Sequence, residues 1–251
     1  MAQTQRYSVG SEPGKSSSSV ALALGALAPA LAAVGALVAN RGVTPPFGGF
    51  LLFAAAIPLS LLAIVLALFA FLRARGGRNR SAVFKAAAGL TFAALTLAAV
   101  VGLAAPSANY PRINDITTDT EDPPDFVANV KLQSSPGQSM AYRPEFAAIQ
   151  KGAYPGLTSK VVADPPEQAF TRMRDALENL PNVRVTYASV KEGRIEAIAV
   201  SRLFRFVDDV VVRIRPVPEG SRIDIRSRSR VGKGDMGVNA QRIESILATL
   251  H

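Results

Sequence analysis

The residues with the most chemistry to offer lie near the C-terminus. Arg213, Arg226, Arg228, Arg230 and Lys233 recur along two alternating segments and the loop after them, with Asp208, Asp209, Asp235, Asn239 and Arg242 interspersed. Arginine presents a planar fork of donors that matches phosphate and carboxylate oxygens. The basic set therefore reads as an anion- or partner-binding surface, and the second set as polar-network residues. The competing reading is the solvated side of a half-buried sheet, where cross-strand ion pairs contribute little each. Asp208 and Asp209 are adjacent, and adjacent strand residues point to opposite faces. Asp209 is expected to pair with an arginine and Asp208 to satisfy backbone near the strand start, instead of sharing a metal or acid/base role.

Gly232-Lys233-Gly234-Asp235-Met236-Gly237 fits G-x-G-x-x-G between a strand and a helix. A dinucleotide site also needs a parallel βαβ unit with an acidic residue beyond the helix, and no second strand follows here. The segment reads as a tight turn with Asp235 or Asn239 as helix cap. A helix N-terminus beside Lys233 can still hold an anion.

Other chemistries are closed. The sequence has no cysteine, and its single histidine is the terminal His251. Thiol nucleophiles, cysteine-based zinc sites and multi-histidine metal sites are excluded, and a Ser-His-Asp triad would need a frayed terminus as its base. No catalytic residue, metal or cofactor is assigned.

The basic set needs a sheet to position it. Residues 157–251 read as β-α-β-β-β-β-α. Ser159 to Ala163 is a strand, and Asp164-Pro165-Pro166-Glu167 starts a helix with Asp164 as N-cap. Phe170, Met173, Leu177 and Leu180 recur on one helical face before Pro181. Val183 to Ser189, Arg194 to Phe204, Val207 to Arg215 and Arg222 to Val231 alternate as strands. The last helix runs from about Gly237 to Leu250. Hairpin-linked strands imply an antiparallel sheet with two helices on one face, an α+β fold. A two-residue Glu219-Gly220 turn would set Arg215 opposite Asp224, Arg213 opposite Arg226, Val211 opposite Arg228 and Asp209 opposite Arg230. Arg213 against Arg226 is unfavourable unless a carboxylate or phosphate neutralises it.

Residues 106–156 are rich in Pro, Asp, Thr, Ser and Gly and read as a lead-in segment with little regular structure. The acidic run Asp119 to Asp125 lacks the glycine and spacing of a calcium loop. It reads as a solvated loop or a strap across the domain.

The first two-fifths of the chain are different. Apolar runs at about 20–38, 50–72 and 86–105 are each long enough to cross a ~30 Å hydrocarbon layer as a helix. Mean hydropathy is +0.21 and net charge +9, and most of the excess charge flanks these runs. The pI of about 10.2 is thus a topology signature, and no nucleic-acid partner is implied. The basic loop Arg73 to Arg80 should stay cytoplasmic, which places the tail 1–19 inside and everything after Pro106 outside. The first run is Ala-rich, with a long weakly basic lead, and reads as a retained helix more than a cleaved signal. No Asp, Glu or Arg lies within a span, which argues against ion-coupled transport.

Several motifs in order carry a resemblance. Asn114-Asp115-Ile116-Thr117-Thr118-Asp119, Phe206 to Arg213, and Arg226 to Gly232 with Asp235, Gly237, Asn239 and Arg242 resemble the bacterial family called domain of unknown function 1499. The resemblance runs from about Tyr110 onward, and the apolar helices resemble those of its membrane-anchored members. It implies an envelope protein and no established activity.

The expectation is a multi-pass protein of the bacterial inner membrane with a periplasmic, non-enzymatic domain. Its partners are the membrane and an anionic lipid, polymer or other envelope protein. The alternatives are an envelope hydrolase or transferase working through Asp and Arg, and a structural subunit of a membrane complex.

Overall fold

Alanine and glycine set how the N-terminal helices pack. The computed structural model describes residues 15–74, 79–104, 109–132 and 139–250. The chain divides into two units, Met1–Ala105 and Pro106–His251. Residues 1–14 of the tail, residues 75–78 of the basic loop, and His251, all part of the sequence reading, lie outside the described residues.

In the first unit, α1 is Lys15–Asn40, α2 Pro46–Ala54, α3 Ala56–Ala74 and α4 Arg80–Ala104. Three helical segments, of 25, 28 and 24 residues, are long and apolar enough to cross a membrane: Ser16–Asn40, Pro46–Arg73 and Arg80–Leu103. The second combines α2 and α3, which break at Ala55. The cause is Pro58, which has no N–H for the Ala54 carbonyl, and the next bond, from Leu59 to Ala55, is stretched to 3.4 Å. The buried side chains are small, among them Ala21, Ala28, Ala63, Ala67, Ala86 and Ala93. Large ones, such as Leu61, Val65, Phe84 and Leu95, face outward. This inverts the pattern of a water-soluble bundle and suits helices in lipid, where close backbone approach drives association. At the α1–α4 contact, a Cβ on Gly89 would lie 2.6 Å from the Ala21 carbonyl oxygen. At the α1–α2 contact, one on Gly49 would lie 2.6 Å from that of Gly35.

The second unit is an antiparallel sheet. Its strands are β1 Asp115–Thr117, β2 Lys160–Val162, β3 Val183–Ser189, β4 Arg194–Val200, β5 Val207–Val217 and β6 Gly220–Ser229. Their order is β1-β6-β5-β4-β3, and β2 also pairs with β6. β1 and β2 thus share the outer edge of β6 end to end. Thr118 closes the gap between them, donating its N–H to the Ile225 carbonyl while its Oγ1 accepts the Ile225 N–H, both at 2.8 Å.

Helices α6 (Pro166–Asn179) and α7 (Val238–Ala248) pack on one face. Phe170, Met173, Leu177, Ile243 and Ile246 meet Ile195, Val210, Val212, Ile214, Ile223 and Ile225 there. The α+β class and the two covering helices follow the sequence pattern. So does the turn before α7, where Asp235 accepts N–H bonds from Gly237 (2.9 Å) and Asn239 (3.2 Å).

Three expectations are corrected. The β5–β6 turn is centred on Pro218-Glu219, with Val217 opposite Gly220, not on Glu219-Gly220. Arg213 consequently opposes Asp224, Val211 opposes Arg226, Asp209 opposes Arg228 and Arg215 opposes Arg222. Gly220, at φ 133°, closes the hairpin in a conformation other residues avoid. The slip spans two residues, so every side chain keeps its predicted face while its partner changes. Second, Asp164 does not cap α6; the N-cap is Pro165 without a side-chain bond, and the Asp164 carboxylate pairs with Arg172. Third, the lead-in segment contains regular structure: β1, a 3-10 turn at Asn129–Leu132 and α5 at Glu145–Ala153.

That segment covers the sheet face opposite α6 and α7, where Phe126, Met140 and Val211 form a small second core. Glu196, fully buried, fastens it. Its Oε1 accepts the Val127 N–H at 2.7 Å and its Oε2 the Asn129 N–H at 2.7 Å, so the carboxylate caps the 3-10 turn. Gln150 on α5 brackets β1, accepting the Thr117 N–H (3.0 Å) and donating to the Thr117 carbonyl (2.5 Å).

Candidate functional site

The strap turns the arginine-bearing face into a buried polar layer. Arg226 is fully buried. Its Nε and Nη2 donate to the two oxygens of Asp115 at 2.8 Å each, its Nη1 to the Pro124 carbonyl at 3.0 Å, and its Nη2 also to the Met140 carbonyl at 2.7 Å. Phe126 and Tyr142 flank the guanidinium, with ring centroids at 5.0 and 5.5 Å. A charge taken out of water needs this degree of satisfaction.

A second cluster lies toward the hairpin. The Asp224 carboxylate accepts Ser159 Oγ (2.6 Å), Arg222 Nε (2.9 Å), Arg213 Nε (3.0 Å) and Arg215 Nη2 (2.7 Å). The strap supplies Asp119 to Arg222 at 2.6 Å and Asp122 to Arg215 at 2.8 Å. Three arginines thus meet three carboxylates. Burial opposes ionisation of Asp224, but the bonds from Ser159, Arg222 and Arg213 outweigh it and hold its pKa below the ordinary carboxylate value.

Arg230 grips Asp209 with two bonds of 2.9 and 2.7 Å and donates to the Leu132 carbonyl at 2.9 Å. Burial pushes Asp209 upward despite that grip. On the helix-covered face, Arg242 joins Asp208 (2.7 Å) to Asn239 (2.7 Å) and Ser227 (2.8 Å). Burial likewise raises Asp235, which caps α7. Asp208, Asp209 and Asp235 are thus each committed to a different partner.

Of the basic residues singled out in the sequence, Arg213, Arg226 and Arg230 are matched by carboxylates. Arg228 and Lys233 meet elsewhere, at a cleft of about 660 Å³ whose walls include Arg112, Tyr142, Arg143, Arg228 and Lys233. Glu145 is engaged by Arg143 at 2.6 Å. Asp115 is engaged by Arg226, and Arg228 reaches it only at 3.8 Å. Among the described residues, Arg112 and Lys233 have no carboxylate partner. The buried Nη1 of Arg228 and the hydroxyl of Tyr142 have no hydrogen-bond partner among the described residues. Burial pushes the Tyr142 pKa up to about 12, so it remains a donor across the physiological range. Burial also lowers that of Arg228 from its ordinary value. Both of these donor atoms are sealed from solvent, and the exposed cations of the cleft without a carboxylate partner, Arg112 and Lys233, are the groups that suit an oxyanion.

Residues 115–250 match the family model described as protein of unknown function (DUF1499). The chain belongs to that family. The match begins at β1 and spans the strap, α5 and the whole sheet, so the DUF1499 unit includes the polar layer and its cover as one piece. No curated protein matches, and no solved structure does.

Arg112, Asp115, Tyr142, Arg143 and Glu196 escaped the sequence reading as site or network residues. Four of them lie in the segment read as irregular, where no periodicity marks a side chain as inward-facing. The match of Asn114 to Asp119 to the family pattern, and the strap alternative for the acidic run Asp119 to Asp125, hinted that this segment does more than link.

Proposed function

We propose that this is a membrane-anchored envelope protein whose C-terminal domain lies outside the cytoplasm and binds an anionic partner without catalysing a reaction. The single observation that carries the reading is the cleft that gathers Arg112, Arg228 and Lys233: among the described residues Arg112 and Lys233 have no carboxylate partner, and Arg228 has only Asp115 at 3.8 Å. The other arginines of that sheet face, Arg213, Arg215, Arg222, Arg226 and Arg230, are paired with carboxylates, which narrows the binding surface of the face to this end of the sheet. The three apolar helices support the anchoring, and the basic residues between the last two support an outward placement by the positive-inside rule.

The test is binding of the full chain, held in an uncharged detergent, to polyglutamate and to inorganic phosphate, with Arg112→Gln plus Lys233→Gln as the comparison. Both substituted residues are exposed, so the fold is expected to stay intact. The double variant should weaken binding by at least tenfold, about one order of magnitude for two lost charges. Equal binding by both proteins rejects the cleft. For the placement, a reporter enzyme fused at the C-terminus should be active only outside the cytoplasm.

A further inference from the structure

We propose that the cleft takes the phosphate of an anionic membrane-lipid headgroup, while the loops beside it insert apolar side chains into the same lipid surface. This rests on the reading of the domain as a tethered anion binder and names its ligand class.

The path of the chain is the first support. Residues 105–108 alone separate α4 from Asn109. The residues that follow pack on the β6–α7 loop. The Tyr110 ring lies against Gly237, the Tyr110 hydroxyl accepts from Gln241 Nε2 at 3.0 Å, and the Asp235 N–H donates to the Ile113 carbonyl at 3.2 Å. The end of the domain nearest its tether along the chain therefore carries the β6–α7 loop, with Lys233 and the cleft.

The surface of that end is the second. Leu203, Val231, Met236 and Val238 are 44%, 46%, 52% and 43% exposed. The β4–β5 loop that contributes Leu203 reads Arg202-Leu203-Phe204-Arg205-Phe206, and Val238 shares a shallow depression with Arg202. Alternating cations and large apolar side chains are the composition of segments that lie in a lipid interface. Arg205 and Met236 hold left-handed backbone, at φ 59° and 57°, which costs energy in non-glycine residues and tends to persist where a side chain must be presented.

The cleft chemistry is the third. A phosphate carries more acceptor oxygens than a carboxylate, and the exposed Arg112 and Lys233 provide several donors, with the charge of Arg228 in the same cleft wall. A free phosphate has no use for the exposed apolar rim; a lipid headgroup does.

The experiment is hydrogen exchange on the full chain in nanodiscs of phosphatidylcholine alone or mixed with phosphatidylglycerol, with a third arm adding inorganic phosphate at matched ionic strength. Phosphatidylglycerol is expected to slow exchange in residues 202–206 and 231–238 by roughly tenfold. Arg112→Gln plus Lys233→Gln, and separately Leu203→Ser plus Met236→Ser, should each abolish that protection. Identical exchange in the two lipid mixtures, or protection indifferent to the cation substitutions, overturns the lipid assignment. If inorganic phosphate or polyglutamate binds and phosphatidylglycerol gives no protection, the lipid assignment falls and the anion-binding reading stands. If none of the three binds, both fall.

Discussion

At the scale of single residues, the domain depends on charges that have been removed from water and matched by opposite charges or backbone groups. Arg226 with Asp115 is the clearest pair. Deleting one partner of a buried pair leaves the other charge uncompensated, at a cost of about 3–5 kcal/mol. Asp115→Ala should therefore lower the thermal midpoint of the full chain far more than Glu121→Ala, whose Lys151 bridge is exposed. Scanning calorimetry checks the difference. Acid sensitivity should carry two opposed signatures. Asp209 and Asp235 have folded-state values above the ordinary carboxylate pKa, so their charges oppose folding at neutral pH and the opposition eases as pH falls toward about 4. Asp224 is depressed, so its stabilisation is present above the ordinary value and disappears only as pH falls through its lower folded value. Urea unfolding across pH should show stability holding down to about pH 4 and then dropping. Asp224→Asn should reduce stability at pH 7 and flatten the drop.

At the scale of elements, two contacts govern assembly. Glycine permits the helix crossings of the membrane unit, because a side chain at Gly89 meets the α1 backbone. Gly89→Leu should separate α1 from α4 and cost at least about 1–3 kcal/mol, seen as a lower unfolding temperature in detergent micelles. Gly102→Leu, where a Cβ has open space, should be neutral. In the second unit the strap is fastened by Glu196. Glu196→Ala strips acceptors from the N–H groups of Val127, Ala128 and Asn129. It should free the strap locally, detected as faster hydrogen exchange at residues 126–132 while strands β4 and β5 stay protected.

At the scale of the whole molecule, three apolar helices and one folded family domain share a chain, and the sequence made that division plain. Apolar length, charge beside the spans and strand alternation are local properties. Phe170, Met173 and Leu177 announce their helix face, and Val210, Val212 and Ile214 their strand face, because burial imposes the period of the element on the sequence. The same alternation put Arg213, Arg226 and Arg230 together on the opposite side. What alternation does not encode is which strand residue lies across from which, since a slip of two residues preserves every face. Nor does it reveal that an aperiodic acidic segment folds back over that face. Asp115, Asp119 and Asp122 find their arginines about a hundred positions away in sequence, through contacts that leave no local period. Tertiary structure alone decided that most of the arginine face is neutralised inside the protein and that Arg112, Arg228 and Lys233 gather at one cleft. The physical reason is that charge is matched by proximity in space, whereas sequence periodicity records only which way a side chain points.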